Sequence, residues 1–187
     1  MAQDPAHARR ERPAGGGRRV ACVVSRFHRE LTGAMLDSAR RELAAAGVAD
    51  EDVLVAWVPG SFELPLVARR FARRRDVDAV VCLGLVLQGE TTHAEHVARG
   101  AIDGLQRVML ESDKPVLLGV LTCATLEQAR ARALSGGEHD KGAEVARACL
   151  ELLAALDEVE QLGARARGEN GLGVRLPGAA GAGESAP

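Results

Sequence analysis

A chain of 187 residues with 47% hydrophobic content can fill one core and is too short for two domains to be the default. Its formal net charge of −2 removes the bulk-electrostatic case for nucleic-acid binding. No apolar run reaches the roughly 18 residues of a membrane span, and the first residues lack the apolar stretch of a secretion signal, so the cytoplasm is the expected compartment.

Residues 1–17 are rich in Arg, Pro, Ala and Gly without periodicity and read as a disordered basic tail. Regular patterning starts at Arg19. Val20 to Val24 is a continuous apolar run, the mark of a strand covered on both faces. Ser25 to His28 follows as a loop, and Leu31, Met35, Ala39 and Leu43 step by four along a helix that stops at Gly47. Val53 to Val58 is a second strand, Pro59-Gly60-Ser61 its turn, and a helix from about Phe62 to Arg74 tolerates Pro65 in its first turn.

The third strand, Ala79 to Leu83, leads into Gly84 to His93, on which the reading turns. Thr92-His93-Ala94-Glu95 has capping-box spacing, which starts a helix near His93 carrying Val97, Ala101, Leu105 and Val108 on one side. Free amide groups around Gly89 to Thr92 at a helix N-terminus suit a phosphate, with His93 beside it as a proton carrier. Val116 to Leu121 is a fourth strand, and Thr125 to Gln128 is a second capping box. The polar loop Ser135 to Asp140 precedes a last helix with Val145, Cys149, Leu152, Leu153 and Leu156 on one face. Residues 18–158 thus form the folded domain, and 159–187 read as a Gly/Ala-rich disordered tail.

Four β-α units with apolar strands predict a three-layer α/β/α sandwich around a four-stranded parallel sheet, with flavodoxin-like winding among the few permitted arrangements. Ligands of such sheets bind beyond the carboxyl ends of the strands. Phe27 and Phe62, two of only four aromatic residues, fall in loops there, as does His93. Each has a bland reading. A phenylalanine after a strand often plugs the sheet edge, Ser61 can be an N-cap and Glu63 can complement a helix dipole. His93 and His96 are spaced as two metal ligands, but no third ligand stands at a convincing spacing, so no metal is expected. Cys22, Cys82, Cys123 and Cys149 lack C-x-x-C spacing and read as buried free thiols.

Taken together, Ser25-Arg26-Phe27, Val58 to Pro65, Gly89-Glu90-Thr91-Thr92-His93, Gly119-Val120-Leu121-Thr122, Glu127-Gln128-Ala129 with Arg132, and Lys141-Gly142-Ala143-Glu144 resemble the 6,7-dimethyl-8-ribityllumazine synthase family of riboflavin biosynthesis, in family order over about Arg19 to Leu156. The resemblance implies a transferase. It condenses 5-amino-6-ribitylamino-2,4-pyrimidinedione with 3,4-dihydroxy-2-butanone 4-phosphate, releasing phosphate and water without cofactor or metal. Carried over by position, Phe27 stacks on the pyrimidinedione, and Ser61, Phe62 and Glu63 hold the ribityl chain and nearby polar atoms. Leu87, Gln88 and Leu118 complete the substrate pocket. Gly89, Glu90 and Thr91 offer amides to the phosphate, Arg132 clamps it, Lys141 meets the pyrimidine carbonyl region and His93 moves protons.

The resemblance further implies a homopentamer, with Arg132 and Lys141 entering each site from the neighbouring subunit. A sixty-subunit shell and association with riboflavin synthase are further options it carries. Departures from the family pattern are His28 for Asn, Gln88 for a cation, Ala94 for an aromatic, Leu118 for Phe and Asp140 for Asn. They leave an alternative open: a non-catalytic lumazine- or flavin-binding or shell-forming paralogue of the same fold.

Overall fold

The computed structural model describes residues 14–134 and 139–169. The elements are β1 (Val20–Ser25), α1 (Arg29–Ala45), β2 (Val53–Val58), α2 (Leu64–Ala72), β3 (Ala79–Leu87), α3 (His93–Ser112), β4 (Val116–Cys123), α4 (Leu126–Ala133) and α5 (Lys141–Glu169). Short 3-10 turns at Asp50–Asp52 and Ser61–Glu63 precede β2 and α2. The chain divides after Ala155, with the sheet and its packed helices in the first part and the outer portion of α5 in the second.

All strand pairs are parallel and the order is β2-β1-β3-β4, as flavodoxin-like winding requires. Side-chain alternation divides the core in two. Val20, Cys22 and Val24 of β1, with Val81, Leu83 and Leu85 of β3, pack beneath residues of α1, α4 and α5. Ala21 and Val23, with Val80, Cys82 and Val86, pack beneath α2 and α3. The sheet is therefore the middle of three layers, and β1 and β3 at its centre are apolar on both faces because both faces are covered.

The strand-initial end of the sheet is tied by polar contacts. The Arg19 amide donates to Asp78 at 2.7 Å, and its guanidinium reaches Asp52 at 2.8 Å and Asp76 at 3.2 Å. Arg74, hydrogen-bonded to Asp76, holds that carboxyl down to about 2, with Arg19 adding to the effect. The four cysteines are free and buried, and burial pushes Cys22 up to about 12 and raises Cys82 and Cys149 as well. Among the described residues no helix is long and apolar enough to cross a membrane.

Several boundaries differ from the sequence reading. β3 continues through Gly84 to Leu87 because β4 also runs on to Cys123, and the ladder pairs Val86 with Thr122 and Leu87 with Cys123. Leu85, Val86 and Leu87 are thus strand rather than loop. Phe62 and Glu63 lie in the 3-10 turn, and α2 begins at Leu64. The capping box at Thr92 does not form: Thr92 makes no side-chain cap, and the His93 amide is met by the Thr91 hydroxyl at 3.4 Å. The one at Thr125 forms with a shift. Its hydroxyl accepts from the Gln128 amide at 3.3 Å, while the Gln128 side chain reaches the Ala124 amide at 3.0 Å.

At the N-terminal edge, residues 14–17, read as tail, are placed, with the Gly15 amide donating to Ala46 O at 2.8 Å. At the other end α5 runs on to Glu169, where a tail was expected from residue 159. Residues 157–169 consist mostly of good helix formers, and Gly163 and Gly168 each weaken them by only about 1 kcal/mol. Expectations for residues 1–13, 135–138 and 170–187 lie outside the described residues.

Candidate active site

The carboxyl ends of β1, β2 and β3 open onto a cleft of about 580 Å³. Its first wall is the β1 loop. The Arg26 amide donates to Val58 O at 2.7 Å and the Phe27 amide to Pro59 O at 3.2 Å, so parallel pairing continues beyond both strands. His28 then turns the chain at φ 55°, ψ 49°, a left-handed conformation that favours Gly or Asn, and α1 begins. Thr32 ties the turn down, its hydroxyl donating to Ser25 O at 2.7 Å. Phe27 is left 60% exposed at the mouth of the cleft, edge-on to His28 with centroids 4.5 Å apart.

The second wall is the turn after β2. Glu63 Oε2 accepts the Gly60 amide at 2.8 Å and closes it. Ser61 is buried over β3, where its hydroxyl donates to Leu85 O at 3.4 Å. Only glycine at position 84 allows this: a Cβ there would stand 2.6 Å from Ser61 Oγ. Phe62 is 59% exposed, its ring laid against α3 at Gly100. Single exposed hydrophobic residues need no explanation. Two phenylalanines, each more than half exposed at one cleft, form an apolar platform for a planar ligand.

The third wall runs from β3 into α3, with Leu85, Val86 and Leu87, then Gly89, Thr91, His93, Ala94, His96 and Val97. His93 is the first residue of α3, so its imidazole stands among the amide donors of that helix start. The cleft therefore combines apolar faces, one carboxylate, two imidazoles and free amides, a set suited to holding a flat polar ring and moving protons beside an anion.

The structure thus brings together Phe27, Ser61, Phe62, Glu63, Leu87, Gly89, Thr91 and His93. The other expected site residues do not line this cleft. Gln88 faces a neighbouring groove with Glu95, Arg99 and Thr122. Glu90 is exposed on the connecting segment. Leu118 is 40% exposed on the edge strand β4. Arg132 lies on α4 with Nη1 donating to Gln128 O at 3.1 Å, and Lys141 at the start of α5 pairs with Glu144 at 2.8 Å. Among the described residues no arginine or lysine lines the cleft.

Gly60, Leu85, Val86, Ala94, His96 and Val97 also line it and were not singled out as substrate contacts. Gly84 punctuates the apolar run and hid the continuation of β3, and His96 was weighed only as a metal ligand. Among the described residues no group of three or more His, Cys, Asp or Glu side chains is placed to hold a metal ion.

The family model of 6,7-dimethyl-8-ribityllumazine synthase matches residues 17–157, nearly everything the sheet and its helices comprise. The chain belongs to the 6,7-dimethyl-8-ribityllumazine synthase family. The enzyme of that name from Thermus thermophilus is 48% identical over 145 residues, 78% of this chain and 92% of its own length. That from Coxiella burnetii is 42% identical over 143 residues, covering 76% and 93%. That from Pediococcus pentosaceus is 40% identical over 139 residues, covering 74% and 88%. In lumazine synthase terms the cleft is the place where the two phenylalanines, the carboxylate and the histidine of the family motifs converge.

Proposed function

We propose that the chain is a 6,7-dimethyl-8-ribityllumazine synthase, a transferase that condenses 5-amino-6-ribitylamino-2,4-pyrimidinedione with 3,4-dihydroxy-2-butanone 4-phosphate. The observation that carries this reading is the convergence of Phe27, Phe62, Glu63, Gly89, Thr91 and His93 on one cleft in a chain of this family. Phe27 stacks on the pyrimidinedione, and Phe62 backs the ribityl chain against α3. Ser61, whose hydroxyl is spent on Leu85 O, contributes backbone groups, and Glu63 offers its remaining carboxylate oxygen. Leu87 closes the floor. The amides of Gly89, Glu90 and Thr91 receive the phosphate at the α3 N-terminus.

Each chemical stage moves a proton. The amine nitrogen attacks the carbonyl carbon, losing a proton as the carbonyl oxygen gains one, and loss of water then leaves the imine. Elimination breaks the C–O bond to phosphate after a carbon-bound proton is removed. Ring closure expels the second water. An imidazole at His93 takes and returns these protons with no net change of its own, a contribution of about 10²–10⁴ in rate. Holding two substrates in register accounts for much of the remainder.

A phosphate dianion in a cleft without a cation of its own needs charge from elsewhere. The reading supplies it from a second copy: Arg132 clamps the phosphate, Lys141 meets the pyrimidine carbonyl and Leu118 packs on the ring, with Gln88 at the margin. This makes the protein a homopentamer with its sites between subunits; the same reading takes it to be cytoplasmic and leaves a sixty-subunit shell and association with riboflavin synthase as open alternatives. Mixing both substrates with purified protein and following lumazine absorbance tests the proposal. Absence of product, with binding of a lumazine retained, would leave the non-catalytic paralogue instead.

A further inference from the structure

The family match ends at residue 157, but α5 continues to Glu169. Along this continuation Leu156, Val159 and Leu162 are 38%, 64% and 63% exposed. At 3.6 residues per turn they share, with Gly163, about a third of the helix circumference. Glu158 and Arg165 lie together on one flank of that stripe. They are about 10 Å apart along the axis, too far to pair with each other within the helix. Among the described residues neither has another ion-pair partner.

We infer that this segment docks antiparallel on the same segment of a second copy, with Val159 and Leu162 in contact and Glu158 of each copy paired with Arg165 of the other. The charge order selects the occupant and its direction. An antiparallel partner aligns Glu158 with Arg165 twice about a two-fold axis, whereas a parallel one sets Glu158 level with Glu158. The alignment that joins these charges sets Val159 level with Ala164 and beside Gly163, two small residues that let the helices approach. Two apolar side chains from each helix fall short of the roughly 1,000 Å² of a stable interface. Association is therefore concentration-dependent and weakened by salt.

Sedimentation of the full chain over a range of concentrations tests this, with circular dichroism confirming that each variant keeps its fold. At low salt the concentrated protein forms a species of at least twice the mass of the dilute particle. E158R shifts that transition to about tenfold higher concentration, E158R with R165E restores it, and V159D with L162D abolishes it. A chain ending at Glu169 keeps it. The inference is overturned if wild type and V159D/L162D sediment alike, or if the charge swap fails to restore association. It is equally overturned if removing residues 170–187 abolishes association, which would make the tail the occupant. Catalytic activity plays no part in this test.

Discussion

The ring of Phe62 lies so close to Gly100 that a Cβ on that glycine would stand 2.7 Å from Cε2. A residue in the middle of α3 thereby sets the position of an aromatic face in the cleft. Gly100→Ala adds helix propensity worth up to about 1 kcal/mol, and the exposed ring can swing away from the new methyl group. The expected outcome is a melting temperature unchanged or slightly raised. KM for the pyrimidine substrate rises about tenfold, a loss of roughly 1.4 kcal/mol of binding. Steady-state kinetics beside a thermal melt check it.

His93 sits on the surface at the start of a helix, and its side chain has no packing role. His93→Ala is expected to lower kcat by about 10²–10⁴ while the urea midpoint and the sedimentation of the protein stay as in wild type. If His93→Gln keeps full activity, proton transfer belongs elsewhere in the cleft.

Gly142 presents the opposite case to Gly100. A Cβ there would overlap the Met35 carbonyl oxygen and stand 2.9 Å from both Met35 C and Ser38 Cβ. Two helix backbones cannot yield as a phenyl ring does. Gly142→Ala is expected to cost about 1–3 kcal/mol or more, seen as a lower urea midpoint with an unchanged m-value.

Burial of Cys22 raises its thiol to about 12, and Cys82 and Cys149 move the same way. In the unfolded chain these thiols ionise near the ordinary cysteine value of 9.0. A raised folded value means the unfolded state holds fewer protons above that pH. The stability contributed is complete below about 9, declines as pH rises, and is gone beyond the folded values. Urea titrations at pH 8 and pH 10.5 should show a lower midpoint at the higher pH. A thiol reagent at pH 8 should find these three cysteines only after denaturation.

β2 was legible to the residue and β1 to within one, Ser25 being its last residue rather than loop, because each is a short apolar run closed by polar or turn residues. β3 was read four residues short. Gly84 resembles a break in a strand when only the chain is seen, whereas in three dimensions it is the gap that admits Ser61. The same blindness to neighbours explains Thr92, whose capping-box spacing is satisfied without the bond. The continuation of α5 past residue 158 was missed because glycine content outweighed the helix formers around it.

At the site, residues that follow strand ends in the chain were found by position alone, since a parallel sheet gathers such ends. Phe27, Phe62 and His93 are of this kind. Arg132 and Lys141 are not: Arg132 lies in the last turn of α4 and Lys141 opens α5, neither of them lining the cleft, and only the family pattern assigned them to it.

The paired amides of Arg26 and Phe27 on Val58 O and Pro59 O fuse two loops into a single stiff jaw. The backbone of the Phe27 loop cannot move away from the Pro59 turn without breaking these bonds. With the proposed function, admission of a second reactant and escape of the spent phosphate are expected at the opposite jaw. That jaw is the exposed run from Gln88 to Thr92, which leaves the sheet after the Gln88 amide bonds Cys123 O at 2.8 Å and is fastened again only as α3 begins.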